Sequence, residues 1–367
     1  MMPDAPAIVP DLSADGVHDA LAALGEHYDA SPRFPVDSLA LLRTLGLHRR
    51  YAPAASGGEA FATPALKALA LLDDLRRVGR ADLSVGRLFE GHVNALALFD
   101  WYGAPEQKLW LADVLASGGW FGVWATEPQP GVQLREGRLS GAKMFATGAG
   151  GLAYAVVTVQ PVEGPRRLAV VPADCGERAD LTGWRVRGMR ATLSGRYDVT
   201  DLPVTDLGLL GQPGDYDREP RFTAGAWRFT AVQLGGVEGL VLAMREALSE
   251  PARRDPLQRA KFAEAVVAAR TAYLWVREAA ERAATEATDA ADFARATRGV
   301  VERSALDVME LAARATGTRS AFDGERLDKI IRDLSLYLRQ AGPDHARDEA
   351  AKTWLDHDLW GAGDALW

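Results

Sequence analysis

Residues 120–131 read WFGVWATEPQPG, and they decide the fold because the chain changes character there. On the N-terminal side, from Val17 to about Ser117, apolar residues recur at helical spacing. Leu39, Leu42 and Leu45 fall three apart, and Thr63-Pro64 supplies an N-cap and a first-turn proline to LKALALLDDLRRV. From Trp120 to about Leu210 the apolar residues come instead in short runs rich in Val, Tyr and Thr. WFGVWAT, LAYAVVTVQP, RLAVVP and GRYDVTDLPV are cut by Gly, Pro and Asp, which predicts a small β domain. GQPGDYDREP leads out of it. Beyond Ala224 Ala-rich helices return. Val301, Ala305, Val308, Ala312 and Ala315 step by four and three, the seam of a bundle helix whose small residues permit close approach. Another long helix is expected from roughly Pro256 to Ala287, with Gly317 and Gly342 as later stops. The order is therefore helices (1–118), β domain (119–215) and helical bundle with tail (216–367).

Composition bounds the function. A chain of 367 residues with 48% hydrophobic content has ample material for a buried core. A net charge of -8 argues against a nucleic-acid partner, since phosphate binding needs a basic face. The N-terminal MMPDAPAIVPDLSADG carries acids where a leader carries Lys or Arg, and no apolar run reaches membrane-spanning length. The expected location is the cytoplasm, with no membrane partner. Cys175 is the only cysteine and the six histidines show no ligand spacing, so no metal site is expected.

Several motifs have structural readings. GAGGLA at 148–153 satisfies a dinucleotide fingerprint in form, but LAYAVVTV after it reads as a strand where the phosphate-binding mechanism needs a helix. A glycine turn between strands is the better reading. No G-x-S-x-G, P-loop or H-E-x-x-H is present, which leaves serine hydrolysis, nucleotide hydrolysis and zinc peptidase chemistry unsupported. His92 in LFEGHVNAL, near Glu90, falls where the helical layer approaches the β domain; a lone histidine is more often a structural hydrogen-bonder, and the alternative is a candidate acid–base group. Trp354, Trp360 and Trp367 in the tail read as packing anchors. In WATEPQPG, a strand end followed by Thr, Glu, Pro and Gly offers amides and a hydroxyl to a planar polar ring.

Together these segments resemble the acyl-CoA dehydrogenase superfamily, flavoproteins built as helical domain, β domain and four-helix bundle. YGAPEQKLWLADVLASG is similar to the family's helix before the β domain, and WATEP to its flavin-contacting strand. LSGAKMFATGA looks like the segment beside the isoalloxazine, and GMRATLSGRYDVTDLPV like the closing strand pair. The implied fold class is α+β and mostly helical, with a small central β-barrel or sandwich. The implied cofactor is FAD. The resemblance puts Val123, Ala125 and Thr126 against the flavin, the Thr126 hydroxyl near N5 and O4. Phe145 stands where the family has a flanking Trp, and Thr147 takes the place of a hydrogen-bonding Ser or Thr. Arg254 (or Arg253) and Gly317 fall at its adenine-dinucleotide contacts, and the family implies a homodimer or homotetramer.

The departures are specific. Gly131-Val132-Gln133 replaces Gly-Ser-Asp, and in LAARATGT the family's Gln is Ala313 and its Gly-Gly pair is Thr316-Gly317. RDLSLYLRQAGPD aligns with the segment that carries the catalytic Glu and places Ala341 there, followed by Gly342 and Pro343. The alternative base position, in AGAWRFTAV, holds Trp227 and Arg228 but no acid. Glu90, Glu238, Asp344 and His345 are the substitutes within the sequence. The leading expectation is an acyl-CoA dehydrogenase-like enzyme oxidising CH–CH of a small-molecule acyl substrate, CoA-linked or related, with its base relocated. A flavin monooxygenase or oxidase on the same fold, needing no α-proton base and using His92 at a flavin–oxygen adduct, is the alternative. A non-catalytic binding scaffold is the third reading.

Overall fold

The computed structural model describes residues 14–340 and 342–356. Among these, helices α1 (Ala14–Ala30), α2 (Val36–Thr44), α3 (Leu47–Arg50), α4 (Pro64–Ala81), α5 (Leu83–Tyr102) and α6 (Pro105–Ala116) precede the strands. Their starts follow from capping chemistry. Thr63 Oγ1 accepts the Leu66 N–H at 3.1 Å ahead of Pro64, as the sequence predicts. The Asp82 carboxylate accepts the Val85 N–H at 2.8 Å to open α5.

Strands β1 (Phe121–Trp124), β2 (Gln133–Arg135), β3 (Arg138–Ser140), β4 (Ala142–Ala146), β5 (Tyr154–Pro161), β6 (Arg167–Pro172), β7 (Ala179–Asp180), β8 (Gly195–Asp198) and β9 (Leu209–Leu210) form two sheets. In the first, β5 is central, with β1 and then β2 parallel along one edge and antiparallel β6 on the other. The second is β4–β8–β7, all antiparallel. The GAGGLA run is the turn between β4 and β5. A Cβ on Gly151 would lie 2.4 Å from the Phe34 ring, so glycine is required by close approach and not by a phosphate.

Three domains are expected from the sequence, but the chain divides into two compact units. The first holds the described residues up to Ala62 together with Arg77–Arg218, and the second holds Thr63–Arg76 and the described residues from Glu219 on. The physical reason is a shared core. Leu96 and Phe99 of α5, Leu111 of α6, Phe121 of β1, Val156 of β5, Leu168 of β6 and Leu210 of β9 pack in one cluster, so helical layer and sheet bury each other. Each such side chain contributes about 1.5–3 kcal/mol when fully buried.

In the second unit α8 (Trp227–Ala247) packs on α10 (Pro256–Ala284), α11 (Ala290–Thr316) and α12 (Arg326–Tyr337), the expected four-helix bundle. Short helices α7 (Arg221–Ala224) and α9 (Glu250–Arg254) precede α8 and α10, and α13 (Pro343–Asp356) follows α12. Val301, Ala305, Val308 and Ala312 are buried along α11, as their spacing predicts. Arg76 on α4 ties itself to Glu238 on α8 at 2.9 and 3.0 Å, which is why the first part of α4 belongs to this unit. Gly342 takes φ of 63°, but Pro343 does more than stop a helix: it is the first residue of α13. No helix among the described residues is long and apolar enough to cross a membrane.

Candidate active site

The C-terminal end of β1 and the end of β4 meet in the first unit. Met144 N–H donates to the Thr126 carbonyl at 2.9 Å, and the Trp124 indole N–H donates to the Thr147 carbonyl at 3.0 Å. Val123, Ala125, Thr126, Phe145 and Thr147, separated by up to two dozen residues, are thereby gathered at one place. The β4–β8 register shifts between Lys143 and Ala146, leaving Met144 and Phe145 opposite a single residue. Phe145 sits in this bulge at φ of 51°, a left-handed conformation uncommon for an aromatic residue, and its side chain is 62% exposed. A large apolar ring held out to solvent by a strained backbone marks a surface with something to cover.

Beside it runs a chain of hydroxyls that sequence reasoning did not identify. Thr147 Oγ1 lies 3.0 Å from Ser194 Oγ, Ser194 Oγ donates to Thr192 Oγ1 at 2.9 Å, and Thr192 Oγ1 donates to the Met189 carbonyl at 2.8 Å. Met189 and Leu193, at φ of 55° and 44°, bracket this turn. The only signal in the sequence is the alternation Thr192-Leu193-Ser194, which puts both hydroxyls on one side.

The carboxylates near this face are committed elsewhere. Glu127, the acid of WATEP, pairs with Lys143, which is fully buried and also donates to Thr158 Oγ1 at 2.8 Å. Burial pushes the Lys143 ammonium down to about 8 against the opposing pull of Glu127. The pair fastens the WATEP turn to β4 and β5. Glu90, also buried, accepts from Arg87 and Asn94. Both oxygens of Glu90 are engaged, and Glu127 is held through Oε2 by Lys143 and the Val132 N–H.

His92 is fully buried, and its ring is spent on the main chain. Nδ1 accepts the Phe121 N–H at 3.1 Å, so Nε2 carries the proton and donates to the His48 carbonyl at 2.6 Å. Burial, with the neighbouring His48, pushes its pKa down to about 3, which keeps the ring neutral. His48 stacks on it at 5.0 Å and bonds the Gly119 carbonyl at 2.8 Å, and Trp120 packs against both rings. Both ring nitrogens of His92 are thus engaged with the main chain, and the ring pins α5 and α3 to the start of β1.

The remaining candidates lie in the second unit. Asp344 is 96% exposed and bonds Arg347 at 3.1 Å. Arg254 is 81% exposed with Glu250 at 3.6 Å, and Gly317 ends α11 at φ of 65°. The expected base position, Ala341, lies outside the described residues, as do Trp360 and Trp367 of the tail. Trp354 and Trp275 line a cavity of about 560 Å³ between α10, α11 and α13, whose Arg303 and Arg347 are paired with Asp307 and Glu302. His345, Asp348 and Glu349 bring ligand-type atoms within 4.8 Å, but the Lys352 ammonium holds both carboxylates at 2.8 and 2.6 Å.

Residues 227–347 match the family described as acyl-CoA dehydrogenase, C-terminal domain. The fold as a whole matches a dibenzothiophene monooxygenase, TdsC from Paenibacillus sp. A11-2, solved with FMN and indole. The two share a TM-score of 0.82 and 20% identity over 94% of this chain and 96% of that one. The family likeness thus rests on residues 227–347, and the chain as a whole shares the fold of the Paenibacillus protein. The similar proteins point away from dehydrogenation. A dibenzothiophene monooxygenase of Mycolicibacterium goodii is 26% identical over 72% of this chain and 75% of its own length. Methanesulfinate monooxygenase MsuC from Pseudomonas fluorescens shares the fold at TM-score 0.80 and 22% identity, over 94% of this chain and 96% of that one. These matches support an oxidoreductase and overturn the expectation of an acyl-CoA dehydrogenase acting on an acyl thioester. The flavin named with the Paenibacillus structure is FMN, and the FAD expectation gains nothing from it.

Proposed function

We propose that this chain is a flavin-dependent monooxygenase that uses FMN and molecular oxygen to oxygenate a small organic molecule. The observation that carries the proposal is its similarity, across 72% of the chain, to a dibenzothiophene monooxygenase. The residues of the β-domain face fit a flavin. Phe145 offers an exposed aromatic wall, and Thr126 and Thr147 offer hydroxyls to a ring edge, flanked by Val123 and Ala125. When bound in its reduced form, the flavin supplies two electrons to oxygen, one atom passing to the substrate and the other leaving as water. The chain's own contribution is to cover one ring face with Phe145, hold the polar edge with the two threonines, and keep carboxylates out of reach by tying Glu127 to Lys143 and Glu90 to Arg87.

FMN is favoured over FAD by the residues at the expected adenine contacts. Arg254 points to solvent and Ala313 and Thr316 replace the amide and glycine of the family pattern. Organosulfur and aromatic compounds form the first substrate panel, because the relatives' names include dibenzothiophene, methanesulfinate and indole. A cytoplasmic homodimer or homotetramer belongs to the same proposal. Val266, Val267 and Leu274 lie exposed on α10, an apolar face suited to a second copy. Light scattering of Val267→Glu against the parent checks it, with a smaller assembly expected. The enzymatic reading is tested by mixing the protein with reduced FMN, ¹⁸O₂ and the panel. One ¹⁸O atom in a product is expected; flavin oxidation to hydrogen peroxide alone, with every substrate, would sink the monooxygenase reading.

A further inference from the structure

The hydroxyl chain has a direction. A hydroxyl owns one proton. Thr192 gives its proton to the Met189 carbonyl and Ser194 gives its own to Thr192, so the 3.0 Å contact between Thr147 and Ser194 is filled by the Thr147 proton pointing inward. What Thr147 then turns outward is lone pairs only. The reverse arrangement, with every proton pointing outward, forfeits the Thr192 bond to Met189 and gains nothing within the chain in return. The Met189 carbonyl then keeps the Thr192 N–H, at 3.2 Å. One neutral hydrogen bond of difference is a bias of about five- to tenfold toward the inward state. The geometry is braced on both sides. Trp124 holds the Thr147 carbonyl at 3.0 Å, and the left-handed Met189 and Leu193 bracket the turn in which Ser194 meets both Thr147 and Thr192.

Resting on the flavin reading above, we propose that Ser194 and Thr192 are positioning residues that make Thr147 a hydrogen-bond acceptor, so that the site holds reduced flavin more tightly than oxidised flavin. In this proposal N5, which the family resemblance puts beside Thr126, is also within reach of Thr147, and its character reverses with redox state. It carries a proton in the reduced ring and a bare lone pair in the oxidised one. An acceptor hydroxyl is satisfied by the first and opposed by the second. The chain thereby selects the flavin that can react with oxygen and loosens its hold on the spent one.

Dissociation constants for reduced FMN, measured anaerobically, and for oxidised FMN separate the contributions in three proteins: the parent, Ser194→Ala and Thr192→Val. Thr192→Val keeps the side-chain shape and removes the acceptor for the Ser194 proton, which then turns toward Thr147 and drives the Thr147 proton outward. Ser194→Ala frees the Thr147 hydroxyl to rotate. The oxidised-to-reduced ratio of dissociation constants is expected to fall about five- to tenfold in either variant. A tenfold change corresponds to about 30 mV in the midpoint potential of bound FMN as a two-electron couple. Ratios within twofold of the parent in both variants, with FMN still bound, overturn this inference and leave the monooxygenase reading standing. If the parent binds FMN in neither state, both fall together.

Discussion

Two polar networks stand in the first unit, and they differ in one respect. In the His48–His92 pair the ring hydrogen bonds end on main-chain groups of Gly119, His48 and Phe121. The network is closed, and Trp120 seals it. In the Thr147–Ser194–Thr192 chain one end is anchored on the Met189 carbonyl and the other stops at a half-buried hydroxyl beside the exposed Phe145 ring. That network is open. A closed network spends its hydrogen-bonding capacity on stability, whereas an open one holds capacity in reserve for a ligand. Residue type alone favours the opposite assignment, since histidine is the commoner catalytic group.

The comparison is broken most easily at the closed network. His92→Ala removes a buried ring and strips partners from the Phe121 N–H and the His48 carbonyl, so denaturant unfolding should report a loss of about 3–5 kcal/mol. FMN affinity of the folded fraction should stay within threefold of the parent; a large selective loss of binding would move His92 back into the site. The second way is by acid. The folded pKa of His92 is depressed to about 3, so between the ordinary value near 6.5 and that figure the unfolded chain holds the proton and the folded one does not. Stability from this group is complete above about pH 6.5 and falls by about 1.4 kcal/mol per unit as pH drops through that window. Chemical denaturation across pH 7 to 4 measures it, and the slope should be shallower in a His92→Gln variant.

The open network should respond the other way, with binding changed and stability spared. Phe145→Gly relieves a left-handed backbone and removes a largely exposed ring, so stability should hold or rise by up to about 1 kcal/mol. FMN affinity should drop at least about tenfold as the aromatic wall is lost. Marked destabilisation would show that the ring serves the fold. The smallest effect is expected from Thr192→Val, at or below about 1 kcal/mol in unfolding, because the Met189 carbonyl retains the Thr192 N–H.

What the sequence reveals here follows from range. Periodicity and caps act over a few residues, so the α11 seam, the Thr63-Pro64 start and the switch to strands at Trp120 are all legible. The gathering of Thr126, Phe145 and Thr147 is reached only through family resemblance. Ser194 is invisible as a partner because it lies 47 positions from Thr147 and meets it through the bulged pairing of β4 with β8. The partner of His92 is hidden for the same reason: the carbonyl that takes its Nε2 proton is 44 positions away. That α5 and β1 share one core is hidden from the sequence, because such burial is a property of three-dimensional packing.

The helix α4 has one further consequence, felt before the protein is finished. Its first part, carrying Leu71, Leu72 and Leu75 with at most 8% of their surface exposed, belongs to the unit whose other residues begin at Glu219. On a ribosome adding about 5–20 residues per second, those leucines emerge on the order of ten seconds before the rest of their unit. For that interval the nascent chain carries a greasy, unmet stripe. Yield in a host should therefore depend on translation speed and on the supply of chaperones that shield such stripes.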